Sequence, residues 1–264
     1  MTSDALIQSL GDELYDALRA SHTLEPLSLR YPTLSLDDAY RISLRFLARR
    51  EADGERVIGK KIGVTSRPVQ EMLGVFQPDF GFLTHPMQVD DGAAVSLAGA
   101  GLIQPRAEGE IAFMLKDDLQ GPGVTRADVL AATAWVAPCF EIVDSRIRDW
   151  KIRIQDTVAD NASCGVFVIG SRHTDPAALD LAAAPMQMWK NGEPCGAGLG
   201  SAVQGHPAEA VAWLANTLGR YGIPFKAGEL ILSGSLAPLV PAAAGDRFSM
   251  HIEGLGGCTI SFAP

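Results

Sequence analysis

The texture of the chain changes once, near Val57, and that change constrains the fold more than any other feature. Before it, two stretches carry apolar residues at helical spacing: Leu6, Ile7, Leu10, Leu14 and Leu18 within residues 4–20, then Tyr40, Leu44 and Leu47 after Ser35. Ser3 is a candidate N-cap for the first, and Ser35 with Asp38 three residues on resembles a capping box for the second. After Val57, short apolar runs are punctuated by Gly and Pro, the pattern of strands and tight loops. Strands are predicted at 58–64, 112–115, 139–143, 165–169, 186–190, 230–233, 247–252 and 258–262. Two more helices are predicted at 125–136 and 207–221, the latter with Pro207 in its first turn and Gly222 past its end. Strands outnumber helices and do not alternate with them, which disfavours a doubly wound parallel sheet. The expected class is α+β: a closed or rolled sheet over residues 56–264 with an N-terminal helical segment, residues 1–55, as one structural unit.

The formal net charge of −9 argues against nucleic acid, whose phosphates need clustered Lys and Arg. No apolar run approaches the roughly 18 residues that span a bilayer, so no membrane association is expected. The acidic N-terminal stretch (Asp4, Asp12, Glu13, Asp16) does not fit a signal peptide. The scattered cysteines Cys139, Cys164, Cys195 and Cys258 form no CxxC pair, which argues against structural zinc and for free thiols in a cytoplasmic protein. An anionic substrate would have to be met by a local cation, and a bound metal would supply one.

The segment Arg106-Ala107-Glu108-Gly109-Glu110 leads into an apolar run ending at Leu115. On a strand, Glu108 and Glu110 point to one face with Cα atoms roughly 6.5–7 Å apart, close enough to share a hard cation. A solvated face is the competing reading, but the apolar continuation argues for burial, and Gly109 suggests a close approach of backbone or ligand. Glu141 interrupts a second apolar run, 138–143, where a glutamate needs a partner: an arginine, or the same metal. Three carboxylates with open positions suit Mg²⁺ or Mn²⁺. In Gly59-Lys60-Lys61-Ile62-Gly63, alternation sends one lysine inward and one outward. Asp79 follows Pro78 in what reads as a turn with a carboxylate at its tip. The polar runs 145–150 and 156–165 lie between apolar strands, where Asp160 or Asn161 could cap a helix or help build a site. His206 reads as a neighbour of a helix N-cap, and residues 254–257 as a hairpin turn. Nucleophile-elbow, Walker and GxGxxG motifs are absent.

Several of these segments, 59–66, 77–81, 104–110, 141–150 and 156–170, together with 205–207 and 245–248, resemble the 2-oxopent-4-enoate (2-hydroxypentadienoate) hydratases of aromatic meta-cleavage pathways. Those hydratases belong to the fumarylacetoacetate hydrolase-like superfamily, as do the 4-oxalocrotonate decarboxylases. The run SRIRDW followed by DTVADNASCGVFVIG carries most of the likeness. The resemblance implies the superfamily's mixed β-roll, a metal triad of Glu108, Glu110 and Glu141, an active-site lysine at Lys61, and pocket polar residues at Asp79 and Ser163. It also implies Mg²⁺ or Mn²⁺ as cofactor, a small anionic 2-hydroxy or 2-oxo acid as substrate, and a homo-oligomer, pentamer or decamer. The aldolase of the same pathway is a possible partner on the same basis. The implied reaction is protonation of the dienol at C5 followed by water addition at C4. The decarboxylase branch is expected to carry an apolar residue where Asp79 stands, so the acid favours hydration. A superfamily C–C hydrolase would want a histidine base near the metal, and an oligomerising subunit without activity would show a damaged triad.

Overall fold

A computed structural model describes residues 2–66, 70, 71 and 75–264. Helix α1 (Asp4–Arg19) starts where the Ser3 hydroxyl accepts from the Leu6 N–H, and α3 (Leu36–Ala52) starts on the complete Ser35–Asp38 capping box. The short α2 (Leu27–Arg30) lies between them. The faces of α1 and α3 that meet the core are apolar, with Leu10, Leu14, Ile42 and Phe46 at most 1 % exposed. Each such side chain stabilises the packing by roughly 1.5–3 kcal/mol.

The remaining elements, in chain order, are β1 (Val57–Gly63), β2 (Asp79–Thr84), β3 (Gln88–Val89), β4 (Ala94–Val95), β5 (Arg106–Leu115), α4 (Arg126–Ala132) and β6 (Thr133–Val143). Then come α5 (Ile154–Ala159), β7 (Cys164–Ile169), β8 (Pro185–Lys190), β9 (Glu193–Leu199), α6 (Pro207–Gly219), β10 (Leu230–Leu232), β11 (Val240–Pro241), β12 (Arg247–Ile252) and β13 (Gly256–Phe262). The larger sheet is mixed and runs β2-β1-β10-β5-β6-β7-β3, with β11 also on β5; the smaller runs β4-β13-β12-β8-β9. Leu83 from one edge of the larger sheet clusters with Phe167 from near the other, together with Met87 of the turn between β2 and β3 and with Leu230, Leu232, Ala112, Cys139 and Cys164. The sheet is therefore rolled, with this cluster inside it. The opposite face of the roll, including Ile111, Phe113, Phe140 and Ile142, joins the core shared with the helices and the second sheet.

The α+β roll agrees with the expectation, with local differences. The helix expected at 125–136 ends at Ala132, and Thr133 opens the long strand β6, because ladder pairing with β5 continues to Thr133 opposite Leu115. Strand 112–115 begins six residues earlier, at Arg106. Strand β9 was not expected; its glycines (Gly196, Gly198) hide a strand signal. Asp79 is not a turn tip but the first residue of β2, only 1 % exposed. Gly109 faces the sulfurs of Met186 and Met250 and the Met186 methyl carbon in the second sheet, not a ligand. The turn at 254–257 does join the β12–β13 hairpin, and His206 is itself the N-cap of α6, its Nδ1 accepting from the Ala208 N–H.

Several contacts join the N-terminal helices to the roll. Tyr40 of α3 stacks on Phe80 at 4.3 Å. Arg50 donates to Glu55 and Thr84, both at 2.8 Å. Ser28 of α2 donates through N–H and Oγ to Asp156 at 2.9 and 2.6 Å. Limited proteolysis of the native protein is therefore expected to release no folded fragment spanning residues 1–55; mass spectrometry of the digest checks this, and a stable fragment of that size would contradict it.

Candidate metal centre and active site

Strand pairing brings the site together. Glu108 and Glu110 point into the roll from β5, and register places Glu141 of β6 directly opposite Glu108. The same face continues through Ala112 to Leu232 and on to Lys61 of β1, so Lys61 points inward while Lys60 points outward and pairs with Glu229 at 2.5 Å. One carboxylate oxygen each of Glu108, Glu110 and Glu141 lies within 4.8 Å of the other two. Glu110 and Glu141 are fully buried and Glu108 is half-buried. Lys61 Nζ lies 3.1 Å from Glu141 Oε1. Asp79, at the start of β2, brings Oδ1 toward Lys61 over Gly63, where a Cβ would collide with that oxygen.

Four carboxyl groups thus face one ammonium. At 4.8 Å two carboxylates repel by roughly 3 kcal/mol at an effective dielectric constant of about 20. Burial, with Glu141 nearby, pushes Glu108 up to about 8 and raises Glu110 as well. Burial also raises Asp79, although Lys61 opposes it. Lys61 goes the other way from an ordinary buried lysine: burial opposes its charge, but Glu141 and Asp79 outweigh that and hold it as ammonium. Glu110 Oε2 accepts from the Gly234 N–H at 2.8 Å. Among the described residues, Glu110 Oε1, Glu141 Oε2 and Asp79 Oδ1 are buried without a hydrogen bond, and Glu141 Oε1 has the Lys61 ammonium beside it. The gathering of Glu108, Glu110 and Glu141 oxygens, with Glu110 Oε1 and Glu141 Oε2 unsatisfied, fits a hard divalent cation, and an all-oxygen donor set is the one Mg²⁺ and Mn²⁺ take.

Ser163 is 2 % exposed and reaches the same region, with its Oγ 3.3 Å from Thr157 Oγ1. Thr157 in turn lies 3.4 Å from Asp79 Oδ2. Sequence reasoning flagged this polar run but did not single out Thr157. Arg146 of the SRIRDW run is 1 % exposed and serves the scaffold: it binds Asp160 through Nε and the Cys164 carbonyl through NH1. Asp160 is thus an ion-pair partner and Asn161 a clamp on β2, where its amide bonds Phe82 N–H and C=O at 2.7 and 2.9 Å. A cleft of about 610 Å³ is lined by Thr65, Val75, Phe76, Pro78 (the residue before Asp79), Gln204 and Trp213 among others.

Fold and site define a class: an α+β roll whose heart carries three gathered glutamates able to hold a hard divalent cation. The chain belongs to the fumarylacetoacetate hydrolase family, with residues 57–262 matching the family model described as "Fumarylacetoacetate (FAA) hydrolase C-terminal". It is 76% identical over 262 residues to the 2-hydroxyhexa-2,4-dienoate hydratase of Comamonas testosteroni, covering 99% of both chains. It is 62% identical over 218 residues to a 2-hydroxypent-2,4-dienoate hydratase of Pseudomonas putida, covering 83% of this chain and 98% of that one. Among solved structures it resembles 4-oxalocrotonate decarboxylase from Pseudomonas putida G7, complexed with magnesium and adipate, at TM-score 0.95 and 35% identity over 99% of each chain.

Proposed function

We propose that this chain is a divalent-metal-dependent hydro-lyase that adds water to 2-hydroxypenta-2,4-dienoate, giving 4-hydroxy-2-oxopentanoate in meta-cleavage degradation of aromatic compounds. The observation that carries the reading is the buried group of Glu108, Glu110, Glu141, Lys61 and Asp79, in a chain so similar to named dienoate hydratases. Glu108, Glu110 and Glu141 would hold the cation, Mg²⁺ or Mn²⁺. Bound there, it would supply positive charge to the carboxylate and C2 oxygen of the substrate. Lys61 steadies the negative charge that develops on the C2 oxygen. Tautomerisation places a proton on C5 and moves the double bond to C3–C4. Asp79 then orients a water and accepts its proton as the C4–O bond forms, and C3 takes up a proton to complete the addition. Ser163 contributes a hydroxyl to the pocket wall.

Two observations favour a substituted substrate beside the parent one. The 76% identical relative is named for a hexadienoate. The cleft beside Pro78 carries Val75, Phe76 and Trp213, which would suit an apolar group at C5. The resemblance to the decarboxylase structure keeps that lyase activity as a comparison, but the hydratase relatives are the more similar by identity. A cytoplasmic setting accords with four free cysteines. Assembly as a pentamer or decamer, and contact with the aldolase that consumes the product, extend the same reading.

The test is an assay of metal-loaded protein against 2-hydroxypenta-2,4-dienoate, 2-hydroxyhexa-2,4-dienoate and 2-hydroxymuconate, with product identity read by NMR. Hydration of the first two is expected, abolished by chelator and restored by Mg²⁺ or Mn²⁺. Release of CO₂ from 2-hydroxymuconate without hydration of any dienoate would replace the hydratase reading with the decarboxylase one.

A further inference from the structure

Asn161, Ala162 and Ser163 are three consecutive non-glycine residues in the left-handed region, with φ of 54°, 50° and 53°. Left-handed backbone costs roughly 1–2 kcal/mol per residue, less for asparagine. Neighbours hold the turn in place. The Asn161 amide is bonded both ways to Phe82, and the Asn161 carbonyl fills the space that a Cβ on Gly81 would need. The Asp144 N–H donates to the Ser163 carbonyl at 2.7 Å. Strain kept in this way concentrates where a side chain must be presented at one angle.

The turn presents Ser163 to Thr157, with 3.3 Å between the hydroxyl oxygens, and Thr157 Oγ1 stands 3.4 Å from Asp79 Oδ2. All three side chains are buried: Ser163 2 %, Thr157 5 % and Asp79 1 % exposed. Thr157 rides on α5, which is fixed at Asp156 by Ser28 from the N-terminal helices and by the Arg153 N–H at 2.8 Å. Asp79 Oδ1, the oxygen over Gly63 and next to Lys61, has no hydrogen bond. One oxygen of Asp79 is therefore engaged on the protein side while the other is left for the cavity. Both hydroxyl contacts are long for O–H···O bonds, a looseness common at catalytic groups before substrate binds.

We propose that Thr157 is a positioning residue for hydration: its hydroxyl donates to Asp79 Oδ2, aims Oδ1 at the attacking water, and ties Asp79 to Ser163 on the strained turn. The proposal rests on the reading of Asp79 as the group that accepts the water's proton. Thr157 itself transfers no proton; it fixes the carboxylate that does. Tautomerisation, which precedes water attack, does not need that orientation, so the two stages should respond differently.

Thr157→Val keeps the shape and removes the hydroxyl, while Thr157→Ser keeps the hydroxyl and removes the methyl. Both are tested as full-length, Mg²⁺-loaded protein beside Asp79→Asn. The hydration kcat of Thr157→Val is expected to fall roughly tenfold, the scale of one lost hydrogen bond. Its KM and its exchange of substrate C–H for deuterium should stay within about twofold of the parent, and Thr157→Ser should restore hydration. Parental hydration in Thr157→Val would overturn the proposal, as would equal impairment of the Val and Ser variants, or joint loss of exchange and hydration in Thr157→Val. Normal hydration by Asp79→Asn would instead remove the premise, a failure read from a different variant.

Discussion

Glu110→Gln is expected to lower kcat/KM by roughly 10²–10⁴, the several kcal/mol of transition-state stabilisation that one ligand of a catalytic metal supplies. Glu110 is the cleanest member of the triad to change. The Gln carbonyl can still accept from the Gly234 N–H, and the ion pair of Lys61 with Glu141 is untouched. Titration calorimetry with Mg²⁺ should show affinity weakened at least tenfold. Unimpaired activity, or activity in the parent that survives exhaustive chelation, would remove the metal role of the triad.

Stability should separate this role from a structural one. Without metal, the folded state holds Glu108 at about 8 against 4.5 in the unfolded chain, and Glu110 is raised as well. Between those values the folded state binds more protons than the unfolded state, so metal-free stability falls as pH rises from about 4.5 to about 8. Replacing by Gln the Glu110 carboxyl, whose pKa folding raises, should therefore increase the metal-free melting temperature near pH 8, while abolishing much of the rise that Mg²⁺ gives the parent. Cation uptake displaces the retained protons, so Mg²⁺ affinity should strengthen as pH rises across the same window. A metal-free melting temperature that climbs with pH would contradict the like-charge account of the site.

The parts of this site that could be read in the sequence are those set by short-range periodicity. Glu108 and Glu110 share a face because side chains alternate with period two, and Glu141 stands out because a carboxylate in an apolar run needs a partner. Alternation alone separates Lys60 from Lys61 without saying which faces inward; the pairing of β1 with β10, and of β10 with β5, decides that. The register that sets Glu141 opposite Glu108 joins residues 33 apart in sequence, which no local pattern encodes. Asp79 was misread as a turn tip because Pro78 is a strong local signal, whereas the Tyr40–Phe80 stack that seats β2 is a long-range contact. The left-handed turn at 161–163 left no signal, since Asp-Asn-Ala-Ser fits a helix cap equally well. Thr157 was hidden with it.

Asp79→Asn is expected to leave metal binding and solvent exchange of substrate C–H protons in place while hydration falls by roughly 10²-fold or more, the usual scale for a general base. The triad cannot make this distinction, because hydration and decarboxylation both pass through an enolate that the same charges stabilise. Water addition alone needs a group that takes a proton from water at C4. Asp79 has the geometry for it: it is buried at the head of β2, with Oδ2 near Thr157 and Oδ1 unpaired beside Lys61. Lys61 and burial act on it in opposite directions, and burial dominates, so its carboxyl sits above the usual range and is a better proton acceptor than a solvated aspartate. Asparagine keeps the size and can still accept from Thr157, so the variant removes the base without emptying the site. Deuterium incorporation at C5, followed by NMR, reports the first stage, and formation of the 4-hydroxy acid reports the second. Loss of both stages together would mean that Asp79 serves the enolate or the cation, not the water. Retention of both would leave Asp79 without a role in hydration and would move the search for the base to the other polar groups facing the roll.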